Sequence, residues 1–242
     1  MNKLTSSAKV RKTVANVFVH ILLAVLSIIW LFPILWIVLI SFKKEQGLYM
    51  ETIFPKEYTF DNYKKLFTDR NIFDFPQMFL NTLIIAIFVC VISTFLVLAV
   101  SYCMSRMRLK MRKPFMNVAL VLGMFPGFMS MSAVYFLLKI LLPNNYQSLA
   151  SLIIVYSAGA ALSYYVAKGF FDTVPKALDE AARIDGASRF RTFYKVILPL
   201  SKPIIIYTIL ISFISPWCDY IFVSFIMSGV PDVGMYTVSL GM

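Results

Sequence analysis

The chain has 242 residues, 60% of them hydrophobic and 14% charged, with a formal net charge of +11 and a mean hydropathy of +0.77, far outside the range of water-soluble domains. Nine glycines exclude a collagen-like repeat, three cysteines exclude a disulfide-stapled secreted module, and so apolar a composition excludes disorder. What remains is an integral membrane protein.

A basic tail, residues 1–12, carries Lys3, Lys9, Arg11 and Lys12. Residues 13–42 then contain no Asp, Glu, Lys or Arg; at about 1.5 Å per residue they more than cover a hydrocarbon core of about 30 Å. This first predicted span is too long for a cleaved signal peptide, and no small-residue cleavage site follows it. An extracytoplasmic segment is expected over 43–77. Further spans are predicted at 78–104, 115–141, 147–171 and 203–228, the last interrupted only by Asp219. Between them lie a cytoplasmic loop at 105–114, an outer loop at 142–146 and a long cytoplasmic loop at 172–202, and an outer tail occupies 229–242. The predicted class is an all-α, polytopic membrane protein with five transmembrane helices in the 242 residues.

The basic residues set the orientation. The N-terminal tail, the 105–114 loop and the segment from Lys168 to Lys202 hold sixteen Lys and Arg against four acids, Asp172, Asp179, Glu180 and Asp185. Residues 43–74 hold six of each sign, and the outer tail holds only Asp232. This asymmetry puts the N-terminus in the cytoplasm and explains the net charge without nucleic acid. The three cysteines, Cys90, Cys103 and Cys218, fall within or at the ends of spans and suggest small apolar packing, with no metal cluster. His20, the one histidine, reads as an interfacial, hydrogen-bonded group, with a proton relay as the other role open to it.

A membrane enzyme would need a nucleophile, a metal site or a carboxylate pair, and the chain carries no H-E-x-x-H, G-x-S-x-G or phosphate-cradling G-x-x-x-x-G-K-[ST] motif. No enzymatic activity, cofactor or ATP site is expected in this chain. An ion-coupled secondary transporter is the alternative class, although no internal repeat is apparent and Asp219 is the one charge deep enough to serve it.

The informative segment is 172–202. Asp172 or Thr173 is a candidate N-cap, Pro175 suits a first helical turn, and a helix is predicted over roughly 175–185. Gly186 should close it in the left-handed conformation, with a second helix over Ala187 to Ile197 ended by Pro199 and Pro203. Ala177, Ala181 and Ile184 share one face of the first helix; Phe190, Phe193, Tyr194 and Ile197 are expected to form one apolar face of the second. If the element is only a solvated hairpin, Glu180 should pair with Lys176 or Arg183.

Glu180, Ala181 and Ala182, then Asp185, Gly186 and Ala187, and further on Val196, Leu198 and Pro199, resemble the EAA loop of permease subunits in binding-protein-dependent ABC importers. The extended E-A-A-x-x-D-G-A form is similar to that of the carbohydrate, maltose or maltodextrin-type branch; Val196 stands where isoleucine is usual. Thr59-Phe60-Asp61-Asn62-Tyr63, Asn81-Thr82-Leu83 and Tyr236 to Gly241 resemble further stretches of the same permeases. The resemblance implies a type I importer permease fold in a bacterial cell membrane. It also implies that Glu180, Ala181, Ala182, Asp185, Gly186, Ala187, Leu198 and Pro199 couple the chain to a cytoplasmic ATPase dimer, which binds the ATP. A homologous permease subunit and an extracytoplasmic sugar-binding protein complete the implied assembly, and membrane lipid surrounds it. Permeases of this type carry a sixth span after the outer segment, which the 242 residues do not reach.

For a sugar pathway the third span is the candidate. Gly123-Met124-Phe125-Pro126-Gly127 should kink it and admit a neighbour closely. Phe125, Phe128, Met129 and Tyr135 offer aromatic faces and a hydroxyl suited to sugar, and equally suited to helix packing. Gly159 and Ser163 read as a small-residue packing pair. Asp219, beside Trp217 and Tyr220, fits either an interfacial belt or an outer-gate or sugar-contact role in the pathway.

Overall fold

The computed structural model describes residues 2–44, 54–70, 74–107, 109–124, 127–159, 161–230 and 233–242. Among them the regular structure is helical: α1 (Asn2–Ser41), α2 (Asp61–Thr68), α3 (Phe75–Arg106), α4 (Arg112–Met124), α5 (Gly127–Leu141), α6 (Leu149–Ala158), α7 (Ala161–Thr173), α8 (Ala177–Ile184), α9 (Arg189–Thr192), a π-helical turn (Phe193–Ile197), α10 (Leu198–Leu200), α11 (Lys202–Cys218), α12 (Ile221–Ile226) and α13 (Val238–Gly241), with one 3-10 turn at Val233–Met235. The chain divides into two units, Met1–Asp69 and Arg70–Met242.

In the first unit the apolar stretch of α1 over residues 14–35 is exposed, with Trp30 at 77%, as expected of a helix whose solvent is hydrocarbon. His20 Nδ1 donates to the Asn16 carbonyl at 2.6 Å, satisfied within its own helix. Thr59-Phe60-Asp61-Asn62-Tyr63 folds back on the end of α1. The Asn62 amide donates to the carbonyls of Ser41 (3.0 Å) and Lys43 (2.7 Å), and Thr59 N–H donates to the Phe42 carbonyl at 2.7 Å. The Tyr63 hydroxyl meets Ser41 Oγ at 2.7 Å, while Phe60 and Tyr63 flank Phe42 with ring centroids 5.3 Å away. This motif is a clasp that ends α1 and turns the chain.

The second unit is built around α3, which packs against α6, α7 and α11. Two clusters lie along it. Toward its Phe75 end, Ile85 and Val89 meet Leu138, Leu152, Val223, Ile226 and Met227. Toward its Arg106 end, Val97, Leu98 and Tyr102 meet Ala167, Phe171, Ile197 and Ile204. Several small polar side chains buried between the helices bond to backbone carbonyls: Thr82 donates to Met78 O at 2.9 Å, Thr208 to Ile204 O at 2.8 Å, and Ser101 crosses to Tyr164 O at 3.0 Å. These are the close contacts and back-bonds that lipid-embedded helices favour.

Two helices, α1 and α3, are each long and apolar enough to cross a membrane, and five crossings result when bent pairs are counted as single spans. Three predicted spans are therefore not continuous helices. The third is α4 followed by α5, with Arg112–Met124 and Met129–Leu141 at 111°; Pro126, outside the described residues, has no N–H to continue a helix. The fourth is α6 and α7, bent by 41°. Gly159 ends α6, its N–H donating to Val155 O at 2.9 Å, so it terminates a helix instead of packing one. In the fifth crossing so counted, Arg189–Leu200 meets Lys202–Cys218 at 82°; within the predicted span itself Pro216 lies in the last turn of α11, and Asp219 separates α11 from α12.

Candidate functional site

The element that stands out from the bundle is 172–202, at the Arg106 end of α3. Its first helix, α8, has no side-chain cap, which corrects the expected role of Asp172 or Thr173. Asp172 has stronger partners: it accepts from Ser105 Oγ at 2.6 Å and from Lys168 Nζ, and Arg112 lies 3.7 Å away. Thr173 donates to Phe170 O at 2.7 Å. A turn over Pro175 and Lys176, closed by Asp179 N–H to Lys176 O at 3.0 Å, starts the helix instead.

Gly186 closes α8 at φ +78°. Its N–H donates to Arg183 O at 3.0 Å and Ala187 N–H to Ala182 O at 2.9 Å, the paired bonds of a Schellman ending. A Cβ added at this position would meet no atom within 4 Å, so the requirement for glycine is the backbone angle. Ser188 then caps α9, accepting from Arg191 N–H at 3.3 Å. The chain continues through the π turn, where Leu198 N–H bonds Phe193 O. Pro199 sits inside α10, so it does not end the second helix as expected. It occupies the first turn after the π segment, where its missing N–H is tolerated.

The second limb turns two stripes in opposite directions, which corrects the single apolar face expected of it. Ile197 is fully buried, and Phe193 packs against Tyr102 with tilted rings whose centroids lie 4.5 Å apart. Phe190 and Tyr194 point outward, 77% and 60% exposed. In α8 only Ala182 is buried; Ala177, Ala181 and Ile184 face out, with Ile184 87% exposed. Glu180, Lys176 and Arg183 are exposed, and their side chains make no ion pair or hydrogen bond among the described residues. The pairing of Glu180 required of a merely solvated hairpin is absent there. Asp185 and Pro199 are exposed and Leu198 is half-buried.

This elbow is held by residues that read in the sequence only as topological charge. Arg106, at the last turn of α3, donates through Nη2 to the carbonyls of Phe171 (2.9 Å) and Val174 (2.7 Å). Its Nη1 lies 3.3 Å from Asp179 Oδ2, with the two side chains 6% and 14% exposed. A buried guanidinium thus grips both the end of α7 and the first turn of α8. Burial pushes the Asp172 carboxyl up, but hydrogen bonds from Lys168 and Ser105 and the charges of Lys168 and Arg112 hold it below its ordinary range. The available signal was Asp179 itself, an acid next to Glu180 in a loop otherwise rich in bases. Beside the brace lies a cleft of about 450 Å³ whose lining includes Arg106, Lys110, Lys176, Arg183 and Arg189.

The pathway candidates disperse. Phe125 and the side chain of Phe128 lie outside the described residues, and Met129 is 54% exposed on α5. Tyr135 is held among Phe136, Tyr146 and Phe225 at centroid distances of 5.5–5.8 Å. Asp219 accepts from Tyr156 OH at 3.1 Å and Phe222 N–H at 3.0 Å, while its carbonyl accepts from Ser239 Oγ at 3.1 Å. Those bonds give it a structural occupation at the break between α11 and α12.

Two of the weaker motifs prove to be neighbours. The Asn81 amide donates to the carbonyls of Gly234 (2.7 Å) and Tyr236 (3.0 Å), and Val238 N–H donates to Thr82 Oγ1 at 2.9 Å. Gly241 lies so close to Met78 that an added Cβ would fall 2.2 Å from its sulfur.

Broken membrane helices around one long central helix, with a braced elbow projecting at one end, define a polytopic permease subunit. Residues 96–241 match the family described as binding-protein-dependent transport system inner membrane component. The chain belongs to that family, the permease subunits of ABC transporters. It is 36% identical to the galactooligosaccharides transport system permease protein GanQ of Bacillus subtilis, over 97% of this chain and 81% of that protein. It is 29% identical to the maltodextrin transport system permease protein MalD of Streptococcus pneumoniae, over 99% and 83%. A crystal structure of a bacterial ABC transporter involved in the import of the acidic polysaccharide alginate has the same fold, with a TM-score of 0.73 and 21% identity over 90% of this chain and 75% of that one.

Proposed function

We propose that this chain is a permease subunit of an ATP-driven uptake system for short neutral oligosaccharides in a bacterial cell membrane. In this reading it forms the translocation path with a homologous permease, takes its work from a cytoplasmic ATPase dimer through the elbow, and receives sugar from an external binding protein. The basic asymmetry supports a cytoplasmic N-terminus and elbow. Support for the sugar class comes from GanQ and MalD, whose names specify galactooligosaccharides and maltodextrin. Both are chains of hexoses, and a maltodextrin is the favoured cargo by the E-A-A-x-x-D-G-A resemblance.

The observation that carries the proposal is the contrast within α8: Asp179 is buried in the brace, while Glu180 and Ile184 are exposed on the outward side. Covering a side chain of the size of Ile184 contributes about 1.5–3 kcal/mol. Moving a two-state transporter from 1:99 to 99:1 takes about 5.5 kcal/mol of differential binding, so the elbow contacts act together with ATP-driven closure of the ATPase pair. Glu180→Lys and Ile184→Ala should leave the permease folded but strip the ATPase from it and abolish ATP-dependent uptake of labelled maltotriose or galactosyl oligosaccharide in vesicles. Full uptake by these variants, or uptake driven by an ion gradient and indifferent to ATP, would refute the reading.

A further inference from the structure

Between α4 and α7, on the side where α4 begins, a crevice of about 430 Å³ is lined by Arg112, Lys113, Met116, Asn117, Tyr165 and Lys168. Three of these six are cations and none is an acid. Arg112 and Lys168 share a single carboxylate, Asp172. Lys113 has no ion pair, and the side chains of Asn117 and Tyr165 have no hydrogen-bond partner among the described residues. The group is therefore left with net positive charge and with unsatisfied donors.

The order of these groups along the two helices matters. Lys113 and Asn117 are one turn apart on α4, and Lys168 and Tyr165 one turn apart on α7, running the opposite way. Cations thus occupy the mouth, and neutral donors sit about 4.5–6 Å deeper along the helix axes. Deeper still, the helices present exposed apolar side chains, Val121 on α4 and Leu162 on α7. The wedge closes where Gly123 approaches α7, an ideal Cβ there lying 3.7 Å from Ala161 Cβ. Charge, then ester-sized polarity, then hydrocarbon is the layering of a glycerophospholipid seen from its headgroup. We infer that this crevice binds an anionic phospholipid. Its phosphate is held by Lys113 with Arg112 and Lys168, Asn117 and Tyr165 donate to its glycerol-ester oxygens, and its acyl chains lie along the exposed apolar faces. Basic pockets between membrane helices at the headgroup level take this class of ligand, and long basic side chains reach the phosphate layer from within the bilayer. A free phosphate would satisfy the cations alone and leave Asn117, Tyr165 and the apolar wall unused.

The test uses the protein purified from membranes and reconstituted in nanodiscs of phosphatidylcholine containing phosphatidylglycerol. Lipid retained on gentle extraction is measured by native mass spectrometry, and the contacts of an acyl-photoreactive phosphatidylglycerol are mapped on peptides. Phosphatidylglycerol should be retained in preference to phosphatidylcholine, with crosslinks in 118–122 and 162–166. Lys113→Gln with Asn117→Leu should lower retention about ten-fold. Lys110→Gln, in the neighbouring cleft, should not change it. Equal retention of the two lipids, undiminished retention in the double variant, or crosslinks confined to a partner subunit would overturn the inference. Protection of Lys113 from acylation by inorganic phosphate as complete as by phosphatidylglycerol would reassign the site to free phosphate and overturn it too.

Discussion

Arg106 has the most demanding position of any charge described in this chain. Its guanidinium satisfies two carbonyls at the end of α7 and faces Asp179 in α8, all in a nearly dry setting. Removing one member of a buried pair typically costs about 3–5 kcal/mol, because the other is left charged and uncompensated, whereas replacing both by apolar groups can be nearly neutral. Arg106→Ala should therefore lower the melting temperature sharply. Arg106→Met with Asp179→Leu should recover much of that loss and yet leave the elbow free to swing, so that ATP hydrolysis is no longer tied to uptake. Comparing melting temperature with sugar moved per ATP in the single and double variants separates the two effects. Asp172 makes a second prediction. Its carboxyl is held below the ordinary range by Ser105, Lys168 and Arg112, so its stabilising share is complete above the unfolded value near pH 3.9. That share is lost only as the pH falls through the lower native value. A melting profile should stay flat from neutral pH to about pH 4 and decline below it, and Asp172→Asn should remove that part of the decline.

At the scale of elements, α8 depends on its termination more than on its start. With no side-chain cap at its beginning, its direction is set by the Schellman ending at Gly186, φ +78°. An L-residue in that region costs about 1–2 kcal/mol, less for Asn. Gly186→Ala should weaken the elbow by about that amount and Gly186→Asn by a fraction of it, read as amide exchange in residues 177–192. The empty space an L side chain would enter means that its size should matter little, and a D-alanine placed there by semisynthesis should relieve the cost, since φ +78° is the favoured hand for a D-residue. The π turn at Phe193–Ile197 is the companion feature. By sending Phe193 and Ile197 inward and leaving Phe190 and Tyr194 out, the second limb is both anchor and exposed surface.

At the scale of the whole molecule, the apolar runs made the helical class legible from the chain alone, because a bilayer demands length and the absence of charge. The breaks were not legible in the same way. Interruption at Gly159 or before α12 leaves composition almost unchanged, and periodicity within a helix that is apolar on every side carries no phase. Of the elbow, Gly186 and the exposed face of α8 could be read locally, since helix endings are written in short stretches of chain. The pairing of Arg106 with Asp179 could not, since it joins residues from distant parts of the sequence, and neither could the loss of Asp172 as a cap, since that was decided by Ser105 and Lys168. Three short motifs carry no local meaning for the same reason. Thr59 to Tyr63 answers to the end of α1, and Asn81-Thr82 answers to the segment around Tyr236. Asn81→Ala should leave two carbonyls without their donor, at a cost of about 1–3 kcal/mol. It should expose residues 233–242 to protease while the Arg106 end of the bundle stays protected.

Helix α3 holds that segment at one end, through Asn81 and Thr82, and the elbow at the other, through Ser105 and Arg106. At about 1.5 Å per residue, its 32 residues make a rod of roughly 48 Å held at both tips, with a packed cluster toward each end. The segment around Tyr236 and the elbow are thus tied to opposite tips of a single unbroken helix, the one rigid element that both of them share.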